Sequence, residues 1–553
     1  MDSITTDVLI VGGGCSGSAA GIQSARLGAK TIIIEETSWP GGMITAAGVS
    51  AFDGNKYAVG GGIFGELRRL IEDYYGGPHK TFTGWISLTC FEPRVGKDLL
   101  LSLIEAEPNL SFLNNTKFIS PIVEKKRIKG VIAEKQDGTR LEILARVVIE
   151  ATEYGDVLKT AGVPHRLGRD SKPDTGEADA PEIPDGEVQD ITFCAILKKY
   201  DADAPPVSPS SGYDPERFIN STAGHSNSTD ETYLNHRLHD WNSFITYAAL
   251  PNNKYLLNWP FRSNDYPTTM DIYEDINSRP GHYERAKRLT LDYVHYMQTK
   301  LGHPEWGLAV DEYPTDDNLP FIPYVRESRR VKGVTLLKEA DVIPADESYR
   351  PPLRQDSIAV GDYFLDHHHS KFFVEPKDRL VEPLPANAPF QIPLGSLIPE
   401  SFEGLICAEK SISVTHIVNG CSRLQPVAML IGQAAGALAA VSINNNISPG
   451  EADAKEVQSE LLDAGCQLFP YKDVWNTNPY FRAIQELALL GLYIDREDFE
   501  FGGWELIDDS EIENWKFAYS KLNYPVNNGL FESLKGKTRY EAAEIIYSEI
   551  GSD

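Results

Sequence analysis

The glycine-spaced turn Gly12-x-Gly14-x-x-Gly17 constrains this chain more than any other feature. It follows a short apolar run from Asp7 to Val11, opens a helix read from Ser16 to Leu27, and is followed by a second apolar run from Thr31 to Ile34. Strand, turn, helix and strand make a βαβ unit. The first glycine permits the tight turn, the second lets a pyrophosphate approach the backbone, and the third lets helix and strand pack closely. The helix N-terminus then presents its partial positive charge to the phosphates. The second strand ends in Glu35, at about the spacing at which an acid binds ribose hydroxyls.

Around this unit there is room for much more protein. A chain of 553 residues exceeds one hydrophobic core, so two to three domains are expected. With 41% hydrophobic and 24% charged residues the composition is that of a folded, soluble protein. The net charge of −28 argues against a nucleic-acid partner or an anionic membrane surface. Cys15, Cys90, Cys194, Cys407, Cys421 and Cys466 are scattered without a CxxC pair, so neither a metal site nor a disulfide framework is expected, and a reducing compartment fits best. The N-terminus runs into a strand pattern without a basic leader, so a cytoplasmic location is the expectation. Pro426 to Ile443 approaches membrane length but carries Gln433 and a set of small residues. It is read as a buried helix rather than a span.

The fold class expected is α/β: a discontinuous Rossmann-like nucleotide-binding domain, an α+β substrate domain and a small helical C-terminal domain. Ile63 to Tyr74 and Val95 to Ala106 read as helices, and Leu110 to Ala145 as several short strands with an Asp137-Gly138 hairpin turn, followed by a strand from Val147 to Ala151. An aperiodic stretch rich in Asp, Pro and Gly near Gly168 to Pro206 marks a crossing into another unit. The boundaries read are 1–170, 171–385, 386–446 for the return of the first domain, and 447–553 for a helical accessory domain. The returning segment holds a strand at Leu405 to Ala408 and a helix from Pro426 to Ser442, with proline at its first position.

Several further segments narrow the cofactor. Trp39-Pro40-Gly41-Gly42-Met43 follows the second strand, and Ile149-Glu150-Ala151-Thr152-Glu153-Tyr154-Gly155-Asp156 ends a later one. Ile406-Cys407-Ala408-Glu409-Lys410 and Thr415-His416-x-x-Asn419-Gly420-x-Ser422-Arg423-x-Gln425-Pro426 precede the small-residue helix. On these motifs the chain, from its N-terminus to about residue 445, resembles the FAD-dependent oxidoreductases of the glutathione-reductase-like fold whose bacterial members are often labelled xanthan-lyase-associated. The resemblance implies FAD as cofactor, with Gly41 and Gly42 along it, Thr152 at the returning strand end, and Glu409 at its ribityl and pyrophosphate part. The glycine of the family's Ala-Gly-acid pattern is missing before Glu409. A helix starting at Pro426 points free N–H groups at the flavin pyrimidine edge, and Arg423 adds to that charge; the competing reading of Arg423 is a surface residue beside a core helix.

Arg326-Glu327-Ser328-Arg329-Arg330 and Asp366-His367-His368-His369-Ser370 resemble the family's approaches to the active face of the flavin. A histidine there takes a proton while hydride leaves for flavin N5. His368, His369 and His416 are the candidates, and which of the histidines acts is left open. Arg329 either binds a substrate carboxylate bidentately or pairs with a protein acid. A metal at the histidine run is the lesser reading, since neighbours in sequence rarely converge on one ion.

The tail from Asp473 to Ala542 resembles a single S-layer-homology-type repeat, read as a packing or dimerisation module. The function expected is oxidation or reduction of a small polar molecule, such as a sugar-derived alcohol or an amine, by hydride transfer to FAD. Oxygen, a quinone or another carrier serves as electron acceptor, and a homodimer is an open partner reading. The alternatives are a flavin C=C reductase or dehydrogenase, and a non-catalytic protein that binds flavin or a cell-surface polymer.

Overall fold

The structure is a computed structural model that describes residues 2–54, 60–219, 221–222, 240–258, 263–344, 348–369, 388–522 and 528–550. Strand β1 (Asp2–Val11) sends Val8 and Ile10 into one apolar layer and Leu9 and Val11 into another, all four fully buried. A strand covered on both faces belongs at the centre of a parallel sheet. β1 pairs in parallel with β2 (Thr31–Ile34) on one edge and β6 (Arg140–Glu150) on the other, and β2 pairs in parallel with β3 (Leu110–Leu113). β4 (Thr116–Glu124) and β5 (Arg127–Lys135) join antiparallel, giving the order β3-β2-β1-β6-β5-β4.

β6 has two partners on the edge away from β1. Residues 141–144 and their neighbours pair with β5, while residues 148–150 pair in parallel with Leu405–Cys407, which brings a distant part of the chain back into the sheet. The separate strand expected from Val147 to Ala151 is the second half of β6. Arg146 breaks the apolar run without ending the strand, because it faces solvent opposite Asp7.

Helix α1 (Cys15–Arg26) covers one face of this sheet and is itself covered by the helix Gln425–Asn445. The two backbones touch: a Cβ on Gly432 would stand 2.1 Å from the Ser16 carbonyl oxygen, and one on Gly436 would stand 2.3 Å from that of Ala20. The later helix begins at Gln425, so Pro426 sits at its second position rather than its first, still within the turn whose N–H groups need no helical acceptor. Among the described residues this helix is long and apolar enough to cross a membrane, and 94% of its apolar window is buried inside the protein.

The middle of the chain forms an antiparallel sheet of Ala249–Leu250, Lys254–Leu257, Ala195–Lys199 and Trp306–Leu308 beside the helix Arg279–Thr299. A smaller sheet of Asp265–Tyr266, Ile191–Thr192 and Tyr324–Val325 brings Asp265 next to Arg326. The C-terminal region is helical, and its apolar residues belong to the same core as the body. Arg350 fastens the two together among Phe469, Tyr471 and Phe499, with ring centroids 5.0, 5.0 and 5.4 Å from its guanidinium carbon. The α/β class read from the sequence is the class observed. The boundary read at 385–386 and Ser370 of the histidine motif lie outside the described residues.

Gly432→Ala should destabilise the protein by about 1–3 kcal/mol, since its methyl group has no space beside Ser16. Gly212→Ala, where a Cβ meets nothing within 4 Å, is the control and should unfold at the wild-type denaturant midpoint. Equal midpoints for the two variants would contradict the contact.

Candidate active site

The glycine turn builds the first cavity. Gly12 takes φ +101°, and a Cβ on Gly17 would stand 1.8 Å from the Gly12 carbonyl oxygen, so α1 can start only directly behind the turn. Gly41 donates its N–H to the Gly13 carbonyl at 2.8 Å, and Gly42, at φ +45°, lies against Gly14. The result is a cleft lined by Gly12, Gly14, Glu35, Gly42, Thr152 and Glu153, with Thr116 to Phe118 on the Glu35 side, where the Thr116 N–H donates to the Glu35 carbonyl at 2.8 Å. Gly14 is an open cradle: a Cβ there would meet nothing nearer than 3.7 Å, and that atom is Oε1 of Glu153.

The Glu35 carboxylate is fixed by the Gly13 N–H, the Thr37 N–H and the Thr37 hydroxyl, each at 2.8 Å. Burial, aided by the charge of Glu36, pushes its pKa up to about 7 against those bonds. Thr152 accepts the Asp156 N–H at 2.9 Å and so turns the chain at the end of β6. Glu409 approaches α1 from behind the cleft: its Oε2 accepts the Ser16 N–H at 2.9 Å, and its Oε1 meets the Lys410 ammonium at 2.9 Å. Lys410 also meets Glu153 at 2.8 Å. Of the two acids, Glu153 lines the cleft, and Glu409, fully enclosed, satisfies the helix end. An open glycine turn, a helix N-terminus and an acid at the second strand end suit an adenosine diphosphate moiety.

A second cavity of about 250 Å³ lies beyond the N-terminus of the Gln425–Asn445 helix, walled by Trp85, Tyr247, Tyr324, Tyr363 and Phe364. Its polar lining is a chain of charges. Arg326 meets Asp265 at 3.1 Å, Asp265 meets His368 Nδ1 at 2.7 Å, His368 Nε2 meets Asp366 at 3.1 Å, and Asp366 meets Arg423 at 2.8 Å; Arg423 also donates to the Tyr324 hydroxyl. Burial and Arg326 pull the His368 pKa down, but Asp366 and Asp265 outweigh them and hold it above the ordinary histidine value. Both carboxylates are raised by burial yet end far below the usual range, Asp265 through Arg326 and His368, Asp366 through His368 and Arg423.

His367 also lines the cavity, and its Nε2 donates to the His416 carbonyl at 2.9 Å. Burial, with the neighbouring His416 ring, lowers its pKa to about 3. His416 and His369 stand behind it, Nε2 to Nε2 at 3.3 Å, with the Glu327 carboxylate 3.1 Å from His416 Nδ1. Neither ring is among the cavity's lining residues. Arg329 lies elsewhere: it is buried, pairs with Asp156 at 3.2 Å and donates to the carbonyls of Tyr154 and Tyr273. The structure therefore brings His368 and Arg423 together and sets His369, His416 and Arg329 apart from them. Asp265, Tyr324 and Tyr363 carried no sequence signal, being single residues in an aperiodic stretch. His367 and Asp366 lay inside the motif already read. Among the described residues no group of three or more His, Cys, Asp or Glu is arranged to hold a metal ion.

Such a pair of cavities, on such a sheet, marks a nucleotide-binding α/β protein with a second compartment for another molecule. The chain belongs to the FAD dependent oxidoreductase family, whose profile matches residues 7–461, and its cofactor is FAD. No curated protein matches the chain in sequence. Among solved structures, it is similar to a geranylgeranyl bacteriochlorophyll reductase-like protein from Thermoplasma acidophilum, at 11% identity over 98% of this chain and 96% of that one, with a TM-score of 0.36. It is similar to the flavin-dependent brominase Bmp2 at 12% identity over 99% and 98%, with a TM-score of 0.35. The similarity to L-proline dehydrogenase from P. horikoshii, at 17% identity and a TM-score of 0.18, covers 31% of this chain and only 25% of that one.

Two outcomes follow from this geometry. Glu35→Ala should lower FAD retention about tenfold or more, read as flavin-to-protein absorbance after gel filtration; full occupancy would remove Glu35 from the cofactor site. The raised pKa of His368 stabilises the fold below about pH 6.5, and this contribution is lost as pH rises through the folded-state value. His367 and His369, whose pKa values are lowered, act only below that pH, whereas Glu35 and Glu150, pushed up to about 7 by burial, also lose stability as pH rises to that value, so His368 is read from the difference between wild type and variant. Thermal melts from about pH 6.5 upward should fall more steeply in the wild type than in His368→Gln, and equal slopes would contradict the raised His368 pKa.

Proposed function

We propose that the protein oxidises or reduces a small, electrically neutral polar molecule in the second cavity, by hydride transfer between a substrate carbon and flavin N5. The observation that carries this reading is the charge balance of the cavity. Arg326, Arg423 and His368 face Asp53, Asp265 and Asp366, and the three cations are each held by a carboxylate. A charged substrate would have to break one of these buried pairs, which is costly. Hydroxyl or amide groups can join the same network as donors and acceptors, and the aromatic walls suit the apolar faces of a ring.

Bound FAD supplies the hydride acceptor or donor. The protein supplies a hydrogen-bond acceptor that orients the reacting group. His367 is neutral, and its Nε2–H is engaged by the His416 carbonyl, which leaves the Nδ1 lone pair to accept a hydrogen bond from a substrate C–OH or C–NH group and orient it toward the flavin. His368 is bridged between two acids and serves to hold Asp265 and Asp366, and through them Arg326 and Arg423, in place. His369 and His416 back the His367 ring, at centroid distances of 6.4 and 5.1 Å. Oxygen, a quinone or another carrier takes the electrons in the other half-reaction. The repeat-like tail is a packing module, a reading supported by its share in the core and by the Arg350 fastening.

Anaerobic titration with a panel of neutral and charged alcohols and amines tests this. Neutral members should bleach the flavin and charged ones should not; bleaching by the charged members alone would overturn the charge-balance reading. With a bleaching substrate, His367→Ala should slow flavin reduction by about tenfold with FAD still bound, through loss of the orienting hydrogen bond. His369→Ala should slow it far less. Wild-type rates in His367→Ala would take that histidine out of the chemistry.

A further inference from the structure

We propose that Arg279 and Ile276 are cofactor-binding residues that roof the adenosine end of the FAD cleft from outside the nucleotide-binding unit. Both line the cleft, although they belong to the turn that leads into the helix Arg279–Thr299 of the middle region. The ends of the cleft are distinguishable. A pyrophosphate belongs at Gly14 and the start of α1, and a ribose belongs at Glu35, so the adenine lies toward Thr116 to Phe118. Tyr154, Asp156, Arg279 and Ile276 line it as well, beside Glu36, whose carboxyl feels the charges of Asp156 and Arg279.

Arg279 is built in rather than draped over the surface. Its Nε donates to the Ile272 carbonyl at 3.0 Å, Nη1 and Nη2 each donate to Asp156 at 2.7 Å, and its guanidinium carbon stands 4.0 Å from the Tyr154 ring centroid. These bonds engage three of its five N–H groups, leaving one on each terminal nitrogen. A planar cation fixed on an aromatic ring offers a flat face to a purine and donors to its ring nitrogens or ribose oxygens. Ile276 is 58% exposed while lining the same cleft, an apolar side chain whose partner is a flat apolar surface inside it. Asp156 is the positioning residue, since it stands on the nucleotide-binding side and sets the guanidinium plane.

FMN lacks the adenosine half of FAD, so the test compares dissociation constants of FAD and FMN for the flavin-stripped full-length protein, read by flavin fluorescence quenching. Ile276→Ala and Arg279→Lys should each weaken FAD about five- to tenfold or more and leave FMN within about twofold of wild type. Parallel weakening of both flavins, or unchanged FAD binding, would overturn the assignment. Should Arg279→Lys fail to fold, Ile276→Ala decides the matter alone, because its side chain stands largely in solvent and contributes little to the core.

Discussion

The backbone contact between α1 and the helix Gln425–Asn445 is the constraint on which the rest of the site depends. Gly432 and Gly436 let the two helices meet without side chains between them, and the Ser16 hydroxyl donates to the Ala428 carbonyl across the seam. One helix begins at the glycine turn and the other begins just after Arg423, so this seam fixes the first cavity relative to the second. The proposed hydride transfer needs the flavin at the second cavity while its nucleotide end lies in the first, and a close-packed seam holds that spacing. The same seam accounts for the burial of so apolar a helix: its small residues are matched to a partner helix.

Buried charge is the second organising element. Lys410 between Glu153 and Glu409, and His368 between Asp265 and Asp366, each place one cation between two acids in the interior. Pairs of this kind add little net stability, because desolvation offsets much of the attraction, but they fix geometry. Near the cleft, the Lys410 ammonium is shared by two carboxylates beside a helix N-terminus. In the second cavity, the His368 chain leaves the walls polar but balanced.

The sequence reading captured features with local signatures and missed those that depend on distant contacts. The βαβ unit, the Asp137-Gly138 turn and the small-residue helix were legible, since period, glycine spacing and turn chemistry are short-range signals. The continuity of β6 was not, because Arg146 interrupts the pattern and only Asp7 on the neighbouring strand shows why it is tolerated. For Arg329 the motif leaves a substrate carboxylate and a protein acid equally open as partners. Its partner Asp156 lies 173 residues away in sequence, a pairing no local pattern encodes. Asp265 and Tyr324 were silent for the same reason: a lone polar residue acquires its role only when a sheet of two-residue strands places it beside Arg326.

The double pairing of β6 also bears on how the chain reaches this state. Its outer edge is completed partly by β5, a hairpin neighbour, and partly by Leu405–Cys407, which is made hundreds of residues later. During synthesis, β1 to β6 emerge with one stretch of edge at residues 148–150 unpaired and with α1 lacking its covering helix, so apolar surface stays open until the middle region has been made. Long-range closure of this kind slows folding and exposes strand edges to other chains. The parallel sheet thus closes late, as a clasp around the chain inserted between its strands, and α1 gains its covering helix only when that insertion has been made.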